Sequence, residues 1–313
     1  MPRVSINLCC YNSARYVSET LESILAQRYR DWELIIIDDG STDATERLIE
    51  RYRQAHPQIR FARQDHAGLA HARNHALRLS SGEFIAFIDH DDVWEPEKLE
   101  RQVPMFDRNP LVGLVYSDCL TVPHQGRPFR EFQRFRPSAG QAFKRLLSQY
   151  GLILSTVVIR RSALEGLREW FDPRFEVLED ADLFLRIARD WEVAFCRAPL
   201  ARWRRHPESA TRTRRDRIPI EMRLLLRKQR DLKPGFEQTF RREIARYELE
   251  IIRLEARTAW EKNQRQLALE ALRPHWYRQV RAAKDFWLMK WFSYQAYEWV
   301  RARVVGSTSA ATR

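Results

Sequence analysis

Apolar runs alternate with helical-period segments over the first two-thirds of the chain. Residues 4–10 read as a first strand, and Tyr11-Asn12-Ser13 as a turn and helix cap. Leu21, Ile24 and Leu25 then recur at helical spacing. Residues 32–37 read as a second strand, ending at Asp38-Asp39-Gly40-Ser41-Thr42-Asp43, with a helix after it through Leu48, Ile49 and Tyr52. A short strand at 59–62, a helix at 68–79 and a strand at 84–88 complete this part. Such alternation predicts a doubly wound, mostly parallel α/β sheet. Further on, the pattern predicts a helix over 97–106, a strand over 112–118, a loop over 123–140, a strand over 152–159, a helix over 179–189 and a short strand over 193–196. The basic segment 199–213 is expected to end the sheet domain.

From about residue 218 the pattern changes to long helices. Phe240, Ile244, Tyr247, Ile251 and Leu254 step by 4, 3, 4 and 3, the spacing of a packed helix seam. Leu267, Leu269 and Leu272 fall on a second helix that stops before Pro274. Residues 286–305 form an aromatic-rich segment with Leu288, Phe292 and Trp299 on one helix face and Lys290, Glu298 and Arg301 on the other; residues 306–313 read as a polar tail. The expected organisation is a sheet domain over 1–213 and a helical region over 214–313.

Charge sharpens this division. The 313 residues carry a net charge of +12, but residues 1–200 have 27 Lys+Arg against 29 Asp+Glu, while residues 201–313 have 27 against 13. A strongly basic last third is a candidate surface for polyanions. No apolar stretch of 18 residues is present, so no ordinary transmembrane helix is expected, and the N-terminus runs straight into a strand pattern without a signal-peptide leader. Cys9, Cys10, Cys119 and Cys196 lie in apolar, strand-like contexts without a C-x-x-C pair, as reduced thiols of a cytosolic protein do.

The candidate chemistry sits where strands end. Phe84-Ile85-Ala86-Phe87-Ile88 is apolar throughout and stops at Asp89-His90-Asp91-Asp92. The C-terminal ends of strands are where open α/β sheets bind ligands, and hard carboxylate oxygens suit Mg²⁺ or Mn²⁺. One acid is enough to cap the following helix, so three acids favour a cation site. Four further segments stand at comparable junctions: Cys10-Tyr11-Asn12, Asp38–Asp43, Gly68-x-x-x-Ala72-Arg73-Asn74 and Glu179-Asp180-Ala181-Asp182. This ordered set of five resembles the family 2 glycosyltransferases of the GT-A fold, over about residues 3 to 210.

The resemblance implies an inverting, metal-dependent glycosyltransferase of bacterial surface-glycan type. Its donor would be a nucleotide sugar, first of all a UDP-sugar, and its acceptor a saccharide or lipid-linked glycan. It places Tyr11 and Asn12 at the nucleobase, Asp39 as acceptor from the uracil ring N–H, and Arg73 near the donor phosphates. Asp89 and Asp91 become the D-x-D pair, with Asp89 facing the ribose or sugar and Asp91 ligating Mn²⁺ or Mg²⁺. His206, in Arg202-Trp203-Arg204-Arg205-His206, completes the metal or diphosphate site. Asp180, with Glu179 as the second choice, becomes the general base, expected to stay ionised at a helix N-terminus. Asp43 reads instead as a capping residue, Asp92 as a supporting acid or a helix cap and His90 as structural. Two departures touch the donor side: Cys9 and Cys10 occupy the region where a Pro usually precedes Tyr-Asn, and His66 replaces the usual Asn of the third motif.

For the basic last third, structural packing, homo-oligomer contacts and an interfacial helix over 280–305 on a cytoplasmic membrane face all stay open. No nucleic-acid-reading motif is present. A metal-dependent nucleotidyltransferase and a non-catalytic basic binding protein are the rival readings. The first usually needs a Gly-rich loop after strand one, and the acids at 89, 91 and 180 oppose the second.

Overall fold

The computed structural model describes residues 1–133, 137–275 and 280–296. The chain forms two compact units, residues 1–207 and 208–313.

The first unit is built on one mixed sheet. In chain order its elements are β1 (Val4–Cys10), α1 (Val17–Leu25), β2 (Trp32–Asp38), α2 (Thr45–Ala55), β3 (Ile59–Arg63), α3 (Leu69–Leu79), β4 (Phe84–Asp89), β5 (Val93–Trp94), α4 (Lys98–Arg108), β6 (Val112–Pro123), β7 (Phe129–Arg130), α5 (Phe143–Ser148), β8 (Val158–Arg160), α6 (Glu179–Asp190) and β9 (Glu192–Arg205). The strand order is β3-β2-β1-β4-β8-β6-β9-β5, with β7 on β6. The β3-β2-β1-β4 half is parallel, as the β-α-β alternation demands, whereas β8 runs antiparallel to both β4 and β6.

All seven residues of β1 are buried, so the strand is covered on both faces. Val4, Ile6, Leu8 and Cys10 join Leu21, Ile24, Ile49 and Leu99, while Cys9 joins Ile35, Ile37, Ala72 and Ala76 of the opposite layer. Register then sets the functional edge. Cys10 lies opposite Asp38 and Cys9 opposite Asp89, so β1, β2 and β4 deliver their polar ends side by side.

Three expectations need correction. Residues 152–159 are not one strand: a 3-10 turn at Leu154–Thr156 precedes the short β8. In that turn Ser155 Oγ reaches the acid turn and Thr156 Oγ1 donates to the Ile153 carbonyl at 2.7 Å. The short strand at 193–196 is the start of the 14-residue β9, which runs through the basic stretch beside β6 and changes register around Asp118, opposite Pro199. Pro199 reads as a stop, but here it coincides with the irregularity that accommodates a missing donor. The expected loop at 123–140 carries β7 and a 3-10 turn at Glu131–Gln133. Cys9, Cys10 and Cys119 are buried, Cys196 is only half-buried, and all four are free thiols.

The second unit is helical: α7 (Ala210–Thr213), α8 (Arg217–Leu232), α9 (Phe236–Thr239), α10 (Arg241–Glu261), α11 (Arg265–Leu272) and α12 (Val280–Trp291). The seam is buried at Phe240, Ile244, Tyr247 and Ile251 and half-buried at Leu254. Arg253 of α10 donates to Asp285 of α12 at 2.8 Å, both buried, and Arg257 donates to the other Asp285 oxygen at 2.7 Å. On α12, Ala282 and Met289 are buried, whereas Trp287 and Trp291 are 42% and 70% exposed and Phe292 just beyond is 44% exposed. Those three aromatics are therefore not helix-packing core. Glu298, Trp299 and Arg301 lie outside the described residues.

Candidate active site

The acid turn is clamped from three sides. Asp92 N–H bonds back to the Asp89 carbonyl at 3.1 Å, closing the turn. The Thr20 hydroxyl, from α1, donates to the carbonyls of His90 and Asp92, both at 2.8 Å. Ser155 Oγ accepts from Asp89 N–H at 3.0 Å and donates to the Asp92 carboxylate at 2.5 Å. The other Asp92 oxygen accepts Arg204 N–H of β9 at 2.9 Å. Asp92 is completely buried, and burial, with Asp91 and Asp89 nearby, pushes its carboxyl well above the usual range. Asp92 is thus the supporting acid expected and not a helix cap. Neither Ser155 nor Thr20 was singled out in the sequence; the signal available was a Ser-Thr pair interrupting an apolar run.

Arg73 joins three of the motifs. It lies one turn into α3 and is buried, with Nη1 on Glu179 and Nη2 on Asp89 at 2.8 Å. Its guanidinium also lies 5.5 Å over the Phe171 ring. Burial opposes its charge, but Glu179, Asp89 and Asp180 outweigh that and hold its pKa above the ordinary value. Asn74 fastens the same helix to the segment leading into α6, exchanging bonds with Phe171 N–H at 3.0 Å and its carbonyl at 2.7 Å. Arg73 was expected near phosphate; the structure makes it the bridge between D-x-D and Glu-Asp.

The two α6 carboxylates differ. Glu179 is buried against Arg73, while Asp180 is half-buried, with one oxygen accepting Ala181 N–H at 2.6 Å. The Asp180 carboxyl is pushed up to about 7, by burial first and then by Glu179, against the opposing pull of Arg73. The expected lowering at the helix N-terminus is therefore overturned: desolvation and a like charge exceed the dipole, which contributes only about 0.3–1 kcal/mol at an exposed terminus.

Asp91 meets His206 at the end of β9, with Nε2 2.8 Å from the carboxylate oxygen; both are largely buried. Among the described residues no three His, Cys, Asp or Glu side chains are arranged as a complete metal cage. A carboxylate such as that of Asp91 is the donor type that Mg²⁺ or Mn²⁺ takes, in a shell otherwise completed by waters and substrate phosphates.

The expected donor residues gather at the β1–β2 edge. Tyr11 stacks on His66 with ring centroids 4.1 Å apart. Asn12 takes a left-handed φ of 48° and its side-chain oxygen accepts Thr42 N–H at 2.8 Å, so it shapes the loop. Asp39 is buried, and its carboxylate accepts Gln64 Nε2 at 2.7 Å, Ala67 N–H at 3.0 Å and Gly68 N–H at 2.9 Å, with His66 Nδ1 at 2.9 Å. The carboxylate expected at a uracil N–H also organises the 64–68 loop. Gly40 is required at this crossing: its φ is 78° and a Cβ would come within 2.8 Å of the His66 nitrogen. Asp43, expected to cap α2, stands one residue ahead of the actual N-cap Ala44 and accepts Thr45 N–H at 2.9 Å.

A family model described as Glycosyl transferase family 2 matches residues 5–168. The chain belongs to glycosyl transferase family 2. Among curated relatives of this family, it is 32% identical over 192 residues to the UDP-Glc:alpha-D-GlcNAc-diphosphoundecaprenol beta-1,3-glucosyltransferase WfgD of Escherichia coli, covering 61% of this chain and 72% of that protein. It is 39% identical over 133 residues to the putative teichuronic acid biosynthesis glycosyltransferase TuaG of Bacillus subtilis, covering 42% of this chain and 52% of that one. It spans only 36% and 18% of two further curated relatives. A solved mannosyltransferase, PcManGT from Pyrobaculum calidifontis in complex with GDP-Man and Mn²⁺, superposes with a TM-score of 0.65 at 20% identity, over 98% of this chain and 86% of that one. That likeness shows the fold, an α/β GT-A domain with helices after it.

Proposed function

We propose that this family 2 protein is an inverting, divalent-metal-dependent glycosyltransferase acting in surface-glycan synthesis. It moves a sugar from a nucleotide donor, a UDP-sugar first of all, to a hydroxyl of a saccharide or lipid-linked glycan. The observation that carries the reading is the Arg73 bridge, which brings Asp89, Glu179 and Asp180 to one edge of the sheet. WfgD, whose name states a UDP-glucose donor and a diphosphoundecaprenol-linked acceptor, supports that choice of substrates.

Each residue has a distinct task. Tyr11, stacked on His66, offers an aromatic face to the base, and Asn12 and Asp39 fix the loops around it. Asp89 meets the donor ribose or sugar, oriented by Arg73. Asp91, with His206 and Asp89, would hold the metal ion. A bound divalent cation supplies Lewis-acid neutralisation of the charge developing on the diphosphate leaving group. Asp180 takes the proton from the acceptor hydroxyl, since Glu179 is buried and tied to Arg73 while Asp180 is partly open. A carboxylate whose pKa lies near 7 is matched to that work at neutral pH. One base and in-line attack invert the anomeric centre.

The transferase domain is assigned to the sheet unit, and the helical unit to an extension. No helix among the described residues is long and apolar enough to cross a membrane. The exposed Trp287, Trp291 and Phe292, with the Lys290 ammonium 4.8 Å from the Trp287 ring centroid and 5.8 Å from that of Trp291, favour peripheral docking on an anionic cytoplasmic face. They favour this over burial in an oligomer of the C-terminal helices because the Lys290 ammonium beside the two Trp rings suits an interface of lipid headgroups.

The test is transfer from UDP-, GDP- and dTDP-sugars to glycan acceptors with Mn²⁺, Mg²⁺ or EDTA, with the anomeric product read by NMR. Inverted product formed only with metal, and lost in Asp91→Ala, supports the assignment; metal-independent transfer, retained in that variant, refutes it.

A further inference from the structure

We infer that Arg186 is a positioning residue for Asp180: together with Asn74 it clamps residues 169–171 as a strap between α3 and α6. This rests on the reading above in which Asp180 is the base, and it brings in a residue outside the five motifs. Residues 169–171 belong to no strand or helix, yet each is held. Arg186 of α6 donates from Nη1 to the Glu169 carbonyl at 2.7 Å and from Nη2 to the Trp170 carbonyl. Asn74 of α3 takes both main-chain groups of Phe171, accepting its N–H at 3.0 Å and donating to its carbonyl at 2.7 Å. The Phe171 ring is fully buried, 5.5 Å from the Arg73 guanidinium and edge-on to Phe87 of β4 at 5.7 Å. Phe87 in turn meets Phe184 of α6 at 5.9 Å. Arg186 is itself buried and set by Asp182, which accepts Nε at 3.0 Å and Nη2 at 2.7 Å.

These contacts close a circuit. The helices α3 and α6 are joined once through Arg73 and Glu179, and a second time through Asn74, the strap and Arg186. A single attachment leaves α6 free to turn about the Arg73–Glu179 contact and carry Asp180 with it; two attachments fix its rotation. Displacing a reacting group by about 1 Å is enough to cost on the order of 100-fold in rate. Stability alone does not call for the second attachment, because packed apolar residues in place of a buried ion pair commonly leave a fold as stable or more so. What arginine adds is a rigid fork of donors that holds one carboxylate and two carbonyls together. Lysine keeps the charge and lacks the fork.

The experiment compares the full chain with Arg186→Lys, Asn74→Ala and the double variant. Alanine is a strong helix former, so α3 tolerates Asn74→Ala. Hydrogen exchange of the metal-free protein is read first. Arg186→Lys is expected to speed exchange across Leu69–Leu79 by about tenfold or more, with the strand Trp32–Asp38 unchanged as the control. The bonds of Arg186 go to α6 and the strap, so a purely local role would quicken α6 alone. Transfer kinetics follow. Each single variant should lower kcat by about tenfold or more with the donor KM within about threefold, and the double variant should lose no more than about threefold beyond the worse single, since the strap is already released. Exchange that rises only in Glu179–Asp190, a loss that falls on the donor KM instead of kcat, or kcat losses that multiply in the double variant overturns the inference. Should Arg186→Lys not fold, Asn74→Ala is read from the other end: quicker exchange in Glu179–Asp190 supports the strap, and unchanged exchange there overturns it. Should no nucleotide sugar support transfer, the proposed function fails, while the exchange pattern still decides whether the strap couples α3 to α6.

Discussion

Arg73→Met removes the guanidinium that bridges Glu179 and Asp89 without changing the length of the side chain greatly. The two partners are affected unequally. The Glu179 side chain is 4% exposed and that of Asp89 36%, so the carboxylate that loses its guanidinium away from water is Glu179. Removing one partner of a buried ion pair costs about 3–5 kcal/mol, chiefly through the charge left behind. Adding Glu179→Gln removes that charge, and the double variant should recover at least half of the loss. Hydrogen exchange over the peptides covering Phe84–Asp89 and Glu179–Asp190 reads the cost where it arises. Arg73 also lowers the Asp180 pKa, which lies at about 7 even with that help. Its loss should therefore move the acid limb of the pH–rate profile to higher pH. A loss below about 1 kcal/mol, no recovery in the double variant, or an unmoved acid limb would refute the bridge as drawn.

The other predictions are independent of that bridge. Ser155→Ala deprives Asp89 N–H and Asp92 of their shared hydroxyl, so Mn²⁺ affinity measured by electron paramagnetic resonance should fall about 10–100-fold, and Ser155→Thr should restore part of it; unchanged affinity counts against the clamp. Lys98 is fully buried, with its ammonium 3.2 Å from the Thr156 carbonyl, and burial pushes its pKa down to about 7. The unfolded chain then binds the extra proton between pH 7 and 10.5, so this residue makes stability rise with pH in that window, on the order of 2 kcal/mol from pH 7 to 9. Lys98→Met should flatten the curve relative to wild type, and parallel curves would contradict the burial argument. Trp287→Ser with Trp291→Ser should cut co-sedimentation with anionic liposomes at least tenfold, and equal sedimentation would remove these residues from any membrane contact.

Much of the first unit was legible because period and burial agree. A strand such as Phe84–Asp89 that is apolar on both faces and stops at acids declares both its place in a parallel sheet and its functional end. The antiparallel part was harder. β8 is three residues long, and β9 is held by pairing along β6 while its own sequence is basic and broken by Pro199. Tertiary context decides such strands, and no local period records it. The same limit applies to electrostatics. Local sequence places Asp180 at a helix start and suggests a lowered pKa; only the fold brings the desolvating walls that, with the adjacent Glu179, raise it. Ser155 is more than 60 residues from the turn it clamps, so its role was visible only once the chain had closed.

The most direct measurement is the rate of Asp180→Asn beside Glu179→Gln, in steady-state transfer assays with donor binding followed separately. The assignment predicts that Asp180→Asn lowers kcat by about 10²–10⁴-fold with donor affinity retained, while Glu179→Gln acts mainly through Arg73 and stability. An Asp180→Asn enzyme within tenfold of wild type, or a larger kcat loss in Glu179→Gln at equal folding, would contradict Asp180 as the base.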